Sequence, residues 1–216
     1  MAKICLVLSS MEEIPLIKQI KNPDLIELRL DLLHISAEEI PELMKISNHW
    51  MISIREKLID NPNAEKLILN SLSQHPNYLD IDENCLKKAL IKNILPNLSP
   101  TIKRIYSYHN FEFTPEIAFL EQKIENLFHS GADIVKIACL GTKKEDICTI
   151  KKLNEKFPKL IAFLMGENFI QTRYEALLKG EKISYACVHE RYKIAQGQPT
   201  YQKMKDYLEL NTNKHE

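Results

Sequence analysis

Short apolar runs alternate with amphipathic ones along the whole chain. Residues 3–9, 25–32, 50–55, 78–82, 102–107, 133–138, 160–165 and 183–188 read as strands. Several are almost continuously apolar, the pattern of a parallel strand covered on both faces. Helical spacing fills the intervals at 10–21, 36–46, 63–74, 83–95, 114–130, 143–157, 169–179 and 200–208. Two of these carry start signals. Ser36-Ala37-Glu38-Glu39 has the form of a capping box, and Thr114-Pro115-Glu116 places a cap before a proline at the first helical position. Eight strand-helix pairs without successive hairpins predict a parallel α/β protein.

A closed (β/α)8 TIM barrel and an open doubly wound sheet both fit that order. Polar residues decide between them. They fall at the carboxyl ends of many strands: Glu27 and Arg29, Arg55, Asp80 and Asp82, then His109 just after strand five, and Lys136. A barrel gathers such residues on one axis, whereas an open sheet keeps its site at one switch point. The expectation is a compact single barrel over 1–210 with a polar tail at 211–216.

Composition narrows the function classes. Lys+Arg and Asp+Glu both number 29 in 216 residues, so no basic surplus argues for nucleic acid. Charges interrupt every apolar run well short of the ~18 residues of a membrane span. Five cysteines (Cys5, Cys85, Cys139, Cys148 and Cys187) are widely spaced with no CxxC, which argues against a disulfide framework or structural zinc and for the reduced cytoplasm. Five glycines and no glycine-rich loop leave a nucleotide site without support.

Lys136 sits inside the apolar run Ala132-Asp133-Ile134-Val135-Lys136-Ile137-Ala138. Burial disfavours its charge, and a buried amine that is partly neutral attacks carbonyls. The bland alternatives are a lysine that snorkels to water or pairs with Asp133. Arg29 and Arg55 are the cations expected near enough to lower its pKa. Glu27-Leu28-Arg29-Leu30-Asp31 alternates strictly, so its three charges share one face and suit a ligand, unless the strand is an edge with a solvated side. His109 lies one strand-helix-strand unit before Lys136, and a lysine for imine formation suits a histidine for proton transfer. The other six histidines read as solvated.

Five segments in order resemble one family, the type I 3-dehydroquinate dehydratases (3-dehydroquinases). Glu27-Leu28-Arg29-Leu30-Asp31 is similar to its E-x-R-x-D strand. Ser107-Tyr108-His109-Asn110-Phe111 with Thr114-Pro115 is similar to its S-x-H-x-F…TP segment, and Ala132–Ala138 to its A-D-x-x-K-x-A segment. Met165-Gly166 with Thr172-Arg173, and Ala195-Gln196-Gly197-Gln198, resemble its two late segments. The resemblance implies catalytic His109 and Schiff-base Lys136. It implies substrate binding by Glu27, Arg29, Arg55, Arg173 and Gln198, with Arg173 on the substrate carboxylate. It further implies 3-dehydroquinate as substrate, the shikimate pathway, no cofactor or metal, and a cytoplasmic homodimer. The chain departs from the family in three places. Arg55 is not followed by an E-G-G turn, so the acid that orients His109 is open among Glu56, Asp60 and Asp82. Ile194 stands where a hydroxyl residue is common. The N-terminal hairpin that closes the barrel floor in longer members is not seen. The residues also admit an aldolase-like Schiff-base lyase for another small keto compound, or a degenerate barrel that binds without turnover.

Overall fold

The computed structural model describes residues 2–179, 181 and 183–212. Its eight strands are β1 (Lys3–Leu8), β2 (Leu25–Arg29), β3 (Trp50–Ile54), β4 (Tyr78–Asp82), β5 (Lys103–Asn110), β6 (Ile134–Leu140), β7 (Leu160–Met165) and β8 (Ile183–Ala186). The helices are α1 (Ile14–Ile17), α2 (Ile40–Met44), α3 (Glu56–Ile59), α4 (Ala64–Leu72), α5 (Ala89–Ile94), α6 (Ile117–His129), α7 (Glu145–Lys156), α8 (Gln171–Ala176) and α9 (Tyr201–Thr212). All ladders are parallel, in the order β7-β6-β5-β4-β3-β2-β1-β8. The sheet therefore curls into a nearly closed (β/α)8 barrel, as the polar pattern predicts. No ladder joins β7 to β8 among the described residues. Single bonds cross there, from Glu181 N to Leu160 O at 3.1 Å and from Gly166 N to Gln196 O at 3.1 Å.

Period two sorts each strand into two cores. Outward residues such as Leu6, Leu28, Ile52, Leu79, Val135 and Leu164 pack under the helices in one cluster. Inward residues such as Cys5, Leu25, Met51, Tyr78, Ile134 and Ile161 fill the lower barrel in a second. At the floor Lys3 Nζ, on β1, donates to Tyr78 Oη on β4 at 2.9 Å and lies 5.1 Å from that ring's centre.

All but the last of the expected helices are shorter than their spacing suggests. The first interval holds a 3-10 turn, Met11–Glu13, then one turn of α1 around Pro15. The interval at 83–95 splits into a 3-10 turn, Glu83–Cys85, and α5. Only half of the predicted capping box forms, from Ser36 N to Glu39 at 2.8 Å. Thr114 does not cap α6; its hydroxyl instead donates to Leu140 O at 2.9 Å, tying the loop after β5 to the end of β6. The last helix runs on to Thr212, into the segment expected as a tail, and 213–216 lie outside the described residues.

Candidate active site

Two boundary shifts matter for the site. Strand β2 stops at Arg29, so Asp31 lies in the following turn, where both its oxygens take the Arg29 guanidinium at 2.8 and 2.7 Å. Strand β5 runs past Ser107 to Asn110, because it pairs with β6 as far as Asn110–Cys139. His109 is thus on the strand rather than after it. Ser107 is the register partner of Lys136, and His109 points inward two residues further on.

The residues singled out by sequence converge. A cavity of about 480 Å³ opens at the carboxyl ends of the strands. Glu27, Arg29, Arg55, His109, Lys136, Arg173 and Gln198 all line it, with Phe163, Met165 and Tyr185 giving an apolar wall. Among the described residues, no three His, Cys, Asp or Glu side chains converge as metal ligands do.

Lys136 is 3% exposed, so it does not snorkel to water. Nor does it pair with Asp133, whose carboxylate takes Arg104 N at 2.8 Å and Arg104 Nε at 3.3 Å. Its Nζ instead meets Asp80 Oδ2 and stands 4.5 Å over the Tyr185 ring. Burial pushes its pKa down, Asp80 pulls it up, Arg55 pushes it down again, and the net is below the ordinary lysine value. Of the two arginines expected to act on it, Arg55 does, while Arg29 is held by Asp31. Arg55 itself forks onto Asp80 at 3.0 and 3.1 Å and reaches Glu27 at 3.6 Å.

His109 Nδ1 lies 2.8 Å from Asp82 Oδ2. That contact settles the open choice of acid by geometry. Glu56 is turned to Asn84, at 3.4 Å, and Asp82 is steadied by Asn84 N at 3.1 Å. Burial works to raise the Asp82 pKa, but the hydrogen bonds from His109 and Asn84 N and the Arg55 charge hold it below its usual value. An ionised carboxylate only accepts, so Nδ1 carries the proton and Nε2 keeps a lone pair. Burial, resisted by the Asp82 bond and assisted by the Lys136 and Arg55 charges, pushes the imidazole down to about 4. The neutral ring stacks on Phe111, 5.9 Å away and 8° from parallel.

Arg173, on α8, is 2% exposed, with its guanidinium carbon 4.3 Å from the Phe163 ring centre. Its Nε is buried without a partner, and no carboxylate of the described residues pairs with it. Burial pushes its pKa down to about 10, against the pull of Glu167. A desolvated, unpaired guanidinium facing a cavity is a receptor for an anion with two oxygens. Gln198 is anchored by Ile194 N, which donates to its Oε1 at 2.9 Å, leaving its amide N–H groups without a partner among the described residues. Its loop is pinned by Gly197 N to Glu167 at 3.1 Å. Gly197 has φ +68°, and a Cβ there would sit 2.3 Å from Gly166 O.

Sequence reasoning missed Ser53, Ser107, Phe163 and Tyr185 as parts of this site. It placed Asp80 on strand four but gave it no task. The period-two rule applied to Asp80-Ile81-Asp82 would have put both acids inside the barrel.

A sequence model of the type I 3-dehydroquinase family matches residues 3–215. The chain belongs to that family of enzymes. The 3-dehydroquinate dehydratase of Archaeoglobus fulgidus is 31% identical over 187 residues, covering 86% of this chain and 88% of that protein. The fold agrees as well. The 3-dehydroquinate dehydratase of Aquifex aeolicus superposes with a TM-score of 0.76 at 24% identity, covering 95% of this chain and 96% of that one. The type I 3-dehydroquinate dehydratase of Clostridium difficile, crystallised with covalently modified comenic acid, gives 0.76 at 18% identity over 99% and 93%.

Proposed function

We propose that the chain dehydrates 3-dehydroquinate to 3-dehydroshikimate through an imine on Lys136, as a step of the shikimate pathway. The observation that carries this is one cavity holding a buried amine of lowered pKa, a neutral imidazole with a fixed tautomer and an unpaired guanidinium. Family membership and the covalent ligand of the Clostridium difficile relative support it.

Neutral Lys136 adds to the C3 ketone; a proton taken up from solvent lets the carbinol hydroxyl leave as water, and a cationic imine remains. The imine draws electrons from the C2–H bond, and His109 Nε2 takes that proton to give an enamine. The electron pair returns, the C1–O bond breaks, and the imidazolium gives its proton to the departing hydroxyl as water. Hydrolysis frees the lysine and the product. Asp82 keeps Nε2 unprotonated at the start and stabilises the imidazolium midway. Arg173 clamps the substrate carboxylate, while Glu27, Arg29, Arg55 and Gln198 orient the ring and its hydroxyls. A cytoplasmic homodimer belongs to the same reading, and sedimentation equilibrium tests the dimer.

Borohydride reduction with 3-dehydroquinate present, followed by mass spectrometry, tests the chemistry. The expected result is one adduct on Lys136, none in a folded Lys136→Ala variant, and an adduct with turnover slowed ~10²–10⁴-fold in His109→Ala. Turnover of 3-dehydroquinate without any adduct on Lys136 rejects the imine. Binding without turnover favours a degenerate barrel.

A further inference from the structure

The carboxylate behind Lys136 has no part in the steps above. Asp80 is fully buried on β4 and lies outside the cavity wall. Its Oδ1 accepts from Arg55 Nη1 at 3.0 Å and Ser107 Oγ at 2.7 Å, and its Oδ2 from Arg55 Nη2 at 3.1 Å and from Lys136 Nζ. A carboxylate surrounded by donors on both oxygens is a poor base. Against burial, Arg55 and Lys136 hold Asp80 far below the usual carboxylate range. It is therefore badly placed to take a proton from the lysine and well placed to remain an anion.

The other groups facing the nitrogen do not duplicate it. On β1 and β8, Cys5 and Tyr185 are kept neutral, each first by burial. On β5, Ser107 is neutral and His109 is held in its neutral form. On β7 the inward residues Ile161 and Phe163 are apolar. Glu27 on β2 acts on Lys136 by charge alone, with its own oxygen on Ser53 and close to Arg55. Asp80 is the carboxylate in contact with the amine, and Arg55 already offsets much of its charge.

We propose that Asp80 is a catalytic residue, the fixed counter-ion of the reacting nitrogen: its Oδ2 aims Lys136 Nζ at the cavity and stays hydrogen-bonded to that nitrogen's N–H when the imine is cationic. No proton or electron pair moves to Asp80. As the protonated carbinol C–O bond breaks and the nitrogen lone pair forms C=N, positive charge develops on nitrogen, opposite an anion that needs no reorganisation. Arg55 and Ser107 have the complementary task of keeping Asp80 ionised, and Arg55 limits how far that anion raises the lysine. The proposal rests on the imine reading only for its second half.

Trace acetylation of Lys136 with acetic anhydride across pH, read by mass spectrometry, titrates the amine in the unliganded protein. Asp80→Asn removes the anion, so the midpoint should fall by ~1–3 pH units. Ser107→Ala removes one donor from Asp80, strengthens the anion, and should move the midpoint up. Borohydride trapping with 3-dehydroquinate should also show Asp80→Asn forming adduct at lower pH than wild type, while kcat falls ~10²-fold because the cationic imine has lost its partner. An unchanged midpoint in folded Asp80→Asn overturns the proposal whatever the substrate proves to be. So does a full kcat in that variant. If Asp80→Asn does not fold, a Ser107→Ala midpoint that stays put or moves down overturns it. A wild type that turns over without adduct rejects the imine reading, a different outcome from any of these.

Discussion

At the scale of single residues, the site combines groups that cost stability with groups that restore it. Arg173 is the clearest expense: a buried guanidinium with an unpartnered Nε and only an aromatic face beside it. Arg173→Met should therefore raise stability by ~1–3 kcal/mol, a Tm gain of several degrees, while KM for a carboxylate substrate rises at least ~100-fold. Thermal melts and steady-state kinetics read the two effects side by side. In the proposed mechanism Asp82 is a positioning residue, with the opposite balance. Asp82→Asn keeps the shape but favours a proton on Nε2, so kcat should fall ~10²–10⁴-fold with KM little changed, and Asp82→Glu should recover part of the loss. A fall confined to KM would reject the positioning role.

Among elements, the strands were legible and the helices less so. Period two is rigid, so Tyr78–Asp82 and Leu160–Met165 come out as their apolar runs predict. Helix ends depend on which polar group wins a competition, and sequence does not rank the contestants. Thr114 had every local reason to cap α6, but Leu140 O offered its hydroxyl a tertiary partner. His109 was recognisable as a candidate proton carrier, yet its place on β5 depended on how far β6 would pair. The acid facing it was similarly hidden: Asp82 is on the neighbouring strand, 27 residues away, where no local motif marks it. The late loop gives an element-scale prediction. Gly197→Ala adds a Cβ that would meet Gly166 O at 2.3 Å in a left-handed backbone. The loop must move, Gln198 with it, and KM should rise about tenfold with a stability loss of ~1–3 kcal/mol. An unchanged KM would detach Gln198 from binding.

For the whole molecule, burying a neutral histidine makes stability depend on pH. The folded pKa of His109 is lowered from 6.5 to about 4. The unfolded chain therefore binds a proton that the native one refuses between those values, so stability falls as pH drops from about 6.5 to about 4 and this contribution levels off below. Asp82, whose pKa is lowered, adds a loss only in more acid solution, below its usual carboxylate range. Denaturant melts from pH 7.5 to 4.5 should show the decline in wild type and a flatter curve in His109→Gln. Parallel curves would place the titration elsewhere.

The edge between β7 and β8, which carries no ladder among the described residues, joins these scales. Its upper end is fastened by Gly166 N to Gln196 O and by Gly197 N to Glu167, bonds made by the same loop that presents Gln198. If Gln198 contacts substrate as proposed, clasping the ligand and fastening this edge fall to one loop. On the proposed reading, a guest held by Gln198 would lend its binding free energy to this edge of the cylinder.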